Sequence, residues 1–305
     1  MEGSRLDIKK TFGFCLILVI FILLPFEILA EYDTSQQEIL IGLIPEQNIF
    51  KQMDRYRPLA SYISEKTGVK IKLTVLSRYG DVVERFISRG MDGAFFDALT
   101  GTMAITKLNV HPVVRPVNLD NTSTVRSYIF ARTDSNIKSV KDMKGKRAVF
   151  VDRATATGYL FAVAFLQENG ISDIDRFFSE YFFTGSHDSA IYSVLDNRAD
   201  VGSAQSTIFN MLILKDPTIK RELRIIAESE EFPETTLCLR RDISLSVRNK
   251  ITEALLNMNH DSEGRETLKK FGALRFIGAG EHDFAPIINL AKRANVDIKG
   301  YKGKR

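Results

Sequence analysis

Hydrophobic and polar positions change their spacing repeatedly along this chain, and the changes fall in a recurring order. IGLI (41–44) is a short apolar run that predicts a buried strand; Leu59, Tyr62 and Ile63 then share a helical face over 56–66, which Gly68 stops. VKIKLTVL (69–76) alternates as a half-solvated strand does, and a helix over 81–88 and the apolar strand GAFF (93–96) follow. This is the β-α-β-α-β order of a doubly wound α/β lobe with a largely parallel sheet. A second set opens with RSYIFAR (126–132) and the run at 148–151. It continues through RFFSEYFFTG, a helix over 189–197, the short strand DVGSA and a helix around 208–214. RIIAES (224–229), the Pro233 turn and the strand TTLCLRRDI come next, and the remaining C-terminal part reads as helical. No long linker separates the two sets, so two lobes joined by close crossovers are expected, one from 31–125 with 229–305 and the other from 126–228.

The stretch 148–170 concentrates the candidate chemistry. Its β-branched and aromatic start is separated by Thr155, Ala156, Thr157 and Gly158 from Leu160, Val163, Ala164 and Leu166, which stand at helical spacing. That predicts strand, turn and helix. Thr155 or Thr157 suits the N-cap, and Asn169-Gly170 supplies a left-handed stop. Unpaired N–H groups and the positive dipole end at such a start suit a phosphate-like oxyanion, with hydroxyls as further donors. An ordinary capped helix has the same composition.

Composition narrows the function classes. With 305 residues, 44% hydrophobic and 26% charged, the chain has globular composition and can bury a sizeable core. A net charge of +4 without a dense basic run, the terminal YKGKR apart, does not indicate nucleic-acid binding. Arg5, Lys9 and Lys10 precede an apolar run over 12–26, and Ala30 offers a cleavage point, so residues 1–30 read as a secretory signal peptide. The run is short for a membrane span, which needs about 20 residues; an uncleaved anchor is the alternative. Beyond that segment Cys238 is the single cysteine, so no internal disulfide is expected.

The segments IGLIPEQ, SRYGDVVERFISRGMDGAFFDALT, VFVDRATATGYL and FTGSHDSAIYSVLDNRADVG, in this order, resemble the phosphate/phosphonate-type substrate-binding proteins of ABC importers. The resemblance rests on a hydroxyl-rich turn after an aspartate, here Asp152 followed by Thr155 to Gly158, and on the later Gly185, Ser186, His187, Asp188. It implies a type II periplasmic-binding-protein fold, two doubly wound α/β lobes joined by a hinge. It further implies an exported, extracytoplasmic and monomeric protein that captures a small oxyanion and delivers it to a membrane permease, without a cofactor.

The same resemblance assigns roles residue by residue. Thr155, Thr157 and Gly158 match the oxyanion turn, while Ala156 replaces a hydroxyl donor. His187 matches a cleft histidine, though alone it reads as a surface loop residue. Tyr79 matches a loop aromatic facing the ligand, or else is a surface tyrosine next to the Asp81 helix. Phe95 and Phe96 are expected to wall the cleft, and Asp97 to be either a polar wall or a helix cap. Members that bind aminoalkylphosphonates are expected to place acids at the positions of Thr207 and Thr235, so a simple oxyanion is favoured here over an amino-bearing one. A membrane-tethered sensor or adaptor with a drifted cleft is the competing reading. The scattered His111, His187, His260 and His282 do not suggest a metal site, and the chain has no G-x-S-x-G elbow or phosphate-binding G-x-x-x-x-G-K loop, so neither a metal centre nor an enzyme is expected.

Overall fold

The protein, a computed structural model, is described over residues 37–301; the expected signal segment 1–30 lies outside the described residues. Thirteen strands form two large sheets and a small ribbon. The first sheet contains β1 (Glu38–Leu43), β2 (Lys70–Val75), β3 (Gly93–Phe96), β4 (Val110–Asn118), β12 (Thr236–Arg240) and β13 (Ala273–Gly278), in the order β13-β4-β12-β3-β1-β2. The second contains β6 (Ser127–Arg132), β7 (Arg147–Phe150), β8 (Glu180–Phe183), β9 (Val201–Gln205) and β10 (Leu223–Glu228), in the order β10-β6-β9-β7-β8. Both sheets are mixed rather than largely parallel. The pairs β1–β2, β1–β3, β7–β8 and β7–β9 are parallel, and every other pair is antiparallel.

Local sequence explains the helices around the first sheet. Ile49–Thr67 begins where the Asn48 side chain accepts from the Phe50 N–H at 3.1 Å and ends at Gly68, whose φ of +70° only glycine adopts without strain. Its Tyr56, Leu59, Tyr62 and Ile63 are buried against the sheet beside Phe95 and Leu237. Burying side chains of this size contributes about 1.5–3 kcal/mol each. In the second set, helix Phe161–Glu168 ends at Asn169 with Gly170 at φ +81°.

Two strands escape the sequence pattern. The first, β4, carries Pro112 and Pro116, residues that normally argue against a central strand because they cannot donate to the ladder. Yet β4 lies between β12 and β13, and both partners shift register beside it, between Leu237 and Cys238 and between Ala273 and Arg275. The second, β13, interrupts the expected helical C-terminus.

The chain passes between the two sheets three times. The first two passes lie side by side, where β5 (Thr124–Val125) pairs antiparallel with β11 (Phe232–Pro233). The Ser127 N–H donates to Ser229 Oγ at 2.8 Å and the Ser229 N–H to the Ser127 carbonyl at 3.0 Å, tying the passes together. On the third pass, Phe284 packs over Gly101, and helix Ala285–Arg293 then lies against Phe161–Glu168. Arg293 pairs there with Glu168, and Gln167 donates to the Ala294 carbonyl at 3.3 Å. Among the described residues no helix is long and apolar enough to cross a membrane.

Candidate functional site

β7 is buried between β8 and β9 and delivers the chain to the turn. Asp152 shapes it: its Oδ1 accepts from the Ala154 N–H at 2.9 Å, and its carbonyl accepts both the Thr155 N–H, at 3.1 Å, and the Thr155 hydroxyl, at 2.7 Å. Thr155 thus holds the N-cap position, but its hydroxyl turns back to Asp152 instead of capping the helix. The first turn, Ala156–Leu160, is π-helical, with the Leu160 N–H reaching the Thr155 carbonyl at 3.0 Å. Such wide turns occur often at functional sites. The amides of Ala156 to Tyr159 precede any intrahelical acceptor; that of Ala156 faces Asp97, and those of Thr157 to Tyr159 are left available to a ligand.

Thr157 lies inside this turn. Its carbonyl accepts from the hydroxyls of Ser127, at 2.6 Å, and Ser203, at 3.0 Å, which fixes the backbone to β6 and β9. Its own hydroxyl is buried without a partner. Gly158 permits the geometry, since a Cβ there would stand 2.5 Å from Val151 Cβ and 2.7 Å from Thr155 Oγ1. Gly158→Ala should therefore destabilise the fold by about 1–3 kcal/mol through overpacking. Denaturant unfolding checks this, and an unchanged midpoint would mean the turn relaxes freely.

His187 starts helix His187–Leu195, and its N–H donates to the Glu46 carbonyl, just beyond β1, at 3.0 Å. Its Nδ1 accepts from the Gln205 N–H at 3.1 Å, so the ring proton resides on Nε2, which is buried and unpartnered. Burial lowers its pKa to about 3, so the ring is a neutral donor at physiological pH. Tyr79 meets it edge-on, ring centres 6.2 Å apart, and is fully buried with an unpartnered hydroxyl. Burial first, and then the charges of Glu46, Asp97 and Asp152, hold that phenol well above its usual pKa.

The other expected site residues divide between this site and its surroundings. Adjacent strand positions face opposite sides, so Phe95 packs edge-on against Tyr56 at 5.0 Å in the first sheet's helix-side core, whereas Phe96 shares a cluster with Tyr79 and Ile44. Asp97 is a cap, accepting the Thr100 N–H at 2.8 Å, but its second oxygen lies 3.4 Å from the Ala156 N–H. The Thr207 hydroxyl donates to Glu234 at 2.9 Å, and that of Thr235 donates to Glu46.

These two buried acids are what the sequence reading missed. Glu234 also accepts from Gln205 Nε2 at 3.1 Å, Asn118 Nδ2 at 2.9 Å and the Thr235 N–H at 2.9 Å, so its oxygens are fully engaged. Burial pushes the Glu46 carboxyl up to about 7, opposed by Arg55 at 3.8 Å. A signal was present for Glu46, an acid just past the C-terminal end of a buried strand, where α/β sheets place ligand sites. The two acids border a cavity of about 20 Å³, and a separate cleft of about 460 Å³ is lined by Arg78, Asp152, Arg153, Phe183 and Gly185.

A family profile described as "ABC transporter, phosphonate, periplasmic substrate-binding protein" matches residues 41–284. The chain belongs to that family. The phosphate-import protein PhnD of Mycolicibacterium smegmatis is 28% identical over 193 residues, 60% of each chain, so the alignment spans under two thirds of that relative. The phosphonates-binding periplasmic protein of Escherichia coli K12 is 21% identical over 90% of this chain and 82% of its own. PhnD1 of Prochlorococcus marinus, solved with methylphosphonate, superposes with a TM-score of 0.76 at 20% identity, covering 86% of this chain and 99% of that one. Its likeness establishes the fold, the type II periplasmic-binding architecture.

Proposed function

We propose that this chain is an exported, extracytoplasmic receptor that holds a small oxyanion of the phosphonate, phosphite or phosphate class between two lobes, 31–125 with 229–305 and 126–228, and presents it to an ABC permease. The observation that carries this reading is that three of the unpartnered buried polar groups among the described residues are the hydroxyls of Tyr79 and Thr157 and Nε2–H of His187. A buried donor left unpaired costs roughly 1–3 kcal/mol, a cost that a ligand oxygen would remove. The amides of the π turn add donors, and the lobes close about the paired passes at β5 and β11. Methylphosphonate in the Prochlorococcus marinus relative agrees with this ligand class.

The far wall bears on the ligand's substituent. Thr207 and Thr235 stand where acids would receive an ammonium, and the nearby Glu234 already accepts from four donors. Methylphosphonate, phosphite or phosphate should therefore bind more tightly than 2-aminoethylphosphonate. Calorimetric titration of the protein lacking residues 1–30 against these ligands tests the reading. Absence of binding by all of them would remove the receptor function, and preference for the amino-bearing ligand would mean that Glu46 or Glu234 receives its ammonium.

A further inference from the structure

One carboxylate beside the turn offers an acceptor where the other groups offer donors. Asp97 follows β3 directly and is buried, with only 6% of its surface exposed. Its Oδ1 is engaged by the N–H and hydroxyl of Thr100, while Oδ2 faces the Ala156 N–H, the first amide of the turn, at 3.4 Å. The titratable groups acting with it are Asp152 on the turn, Glu46 beyond β1 and the Tyr79 hydroxyl on its loop. Burial, reinforced by Asp152, raises its pKa to about 6 against the hydrogen bonds from Thr100 and Ala156.

An oxyanion on the turn amides would set an oxygen against Asp97 Oδ2. Two bare acceptors in a buried site repel, whereas one proton between them makes a short charge-assisted hydrogen bond. We propose that Asp97 is a specificity-determining residue that reads the ligand's protonation, so that the site takes hydrogen-oxyanions, with one proton shared between ligand oxygen and Asp97 Oδ2, and rejects proton-free oxyanions such as sulfate and sulfonates. The proposal rests on the oxyanion reading of the turn. Phosphonates fit it because, like phosphate esters with a second pKa of about 6, they exchange their last proton near neutrality. Sulfate and sulfonates carry none there.

The test is calorimetric titration of wild type, Asp97→Asn and Asp97→Gly with methylphosphonate and sulfate from pH 6 to 9, in two buffers of different ionisation heat. Wild type should take up one proton at high pH and lose affinity for methylphosphonate about tenfold per pH unit there, and above about pH 8, where Asp97 is ionised, it should not bind sulfate. Either variant should lose that slope and gain sulfate binding by at least tenfold. A flat pH profile with buffer-independent heat in wild type overturns the proposal, whatever the variants do. So does a variant that binds methylphosphonate but gains nothing for sulfate. Thr157→Ala separates the two levels: if it leaves methylphosphonate affinity unchanged, the oxyanion turn itself falls, whereas a loss of affinity alongside a flat profile removes only the role of Asp97.

Discussion

His187→Ala and Thr157→Ala are each expected to weaken methylphosphonate binding by ten- to over a hundredfold, equivalent to about 1.5–3 kcal/mol for a donor to a charged acceptor. In both, the donor removed is buried and otherwise unpartnered, and for Thr157→Ala its loss subtracts a ligand contact without freeing an internal group. Thr155→Ala should behave differently. Its hydroxyl donates to the Asp152 carbonyl at 2.7 Å, so this variant should lose stability while keeping its affinity within a few-fold. His187→Ala also frees the Gln205 N–H, which makes Thr157→Val, similar in volume, the cleaner probe. Titration with parallel thermal melts measures all four, and unchanged affinity in both His187→Ala and Thr157→Val would dismantle the oxyanion site.

Glu46→Gln should change how stability depends on pH. In the folded protein burial keeps the Glu46 carboxyl protonated up to about pH 7, whereas in the unfolded chain it ionises near its ordinary 4.5. Between those values the unfolded state binds fewer protons, so the contribution of Glu46 is complete below the lower value and disappears as pH rises through the upper one. Glutamine does not titrate and can still accept from Thr235. The stability difference should therefore move toward the variant by on the order of 3 kcal/mol across the window and level off above it. Asp97 drifts in the same sense and His187 in the opposite one; His187 cancels in the difference, and Asp97 leaves only the change that follows from losing its neighbour Glu46. Chemical denaturation at stepped pH gives the curves, and parallel curves would mean that Glu46 is ionised in the fold.

Periodicity was informative where an element is decided by its own residues. GAFF is a strand with the expected limits, and Gly68 and Gly170 end helices by left-handed turns because they lack a Cβ. It was silent where a partner decides. Pro112 and Pro116 exclude a regular central strand, and β4 exists because β12 and β13 shift register beside it. In the site, Thr155 and Thr157 are the same residue type two positions apart. Which hydroxyl stays free depends on the π turn and on the Asp152 carbonyl, features of backbone path that a composition rule does not contain. The burial of Glu46 and Glu234 was not legible because the threonines, Asn118 and Gln205 that satisfy them come from distant parts of the chain.

Two side-by-side strands make a good axle, and a molecule hung on β5 and β11 alone would swing widely. The third pass acts as a buckle. Helix Ala285–Arg293 is fastened on one side by Phe284 over Gly101 and on the other by Arg293 to Glu168 and by the Ala294 carbonyl to Gln167. Parting the lobes must undo one fastening or the other. Behind the partly exposed ion pair, Ile287, Leu290 and Ala291 are buried in one cluster with Leu160, Phe161 and Ala164 as well as with Leu99 and Met103, so apolar packing holds this helix on both sides. Any parting of the lobes would thus have to strip buried apolar surface from one flank of this helix, so the buckle resists opening by more than its charged clasp.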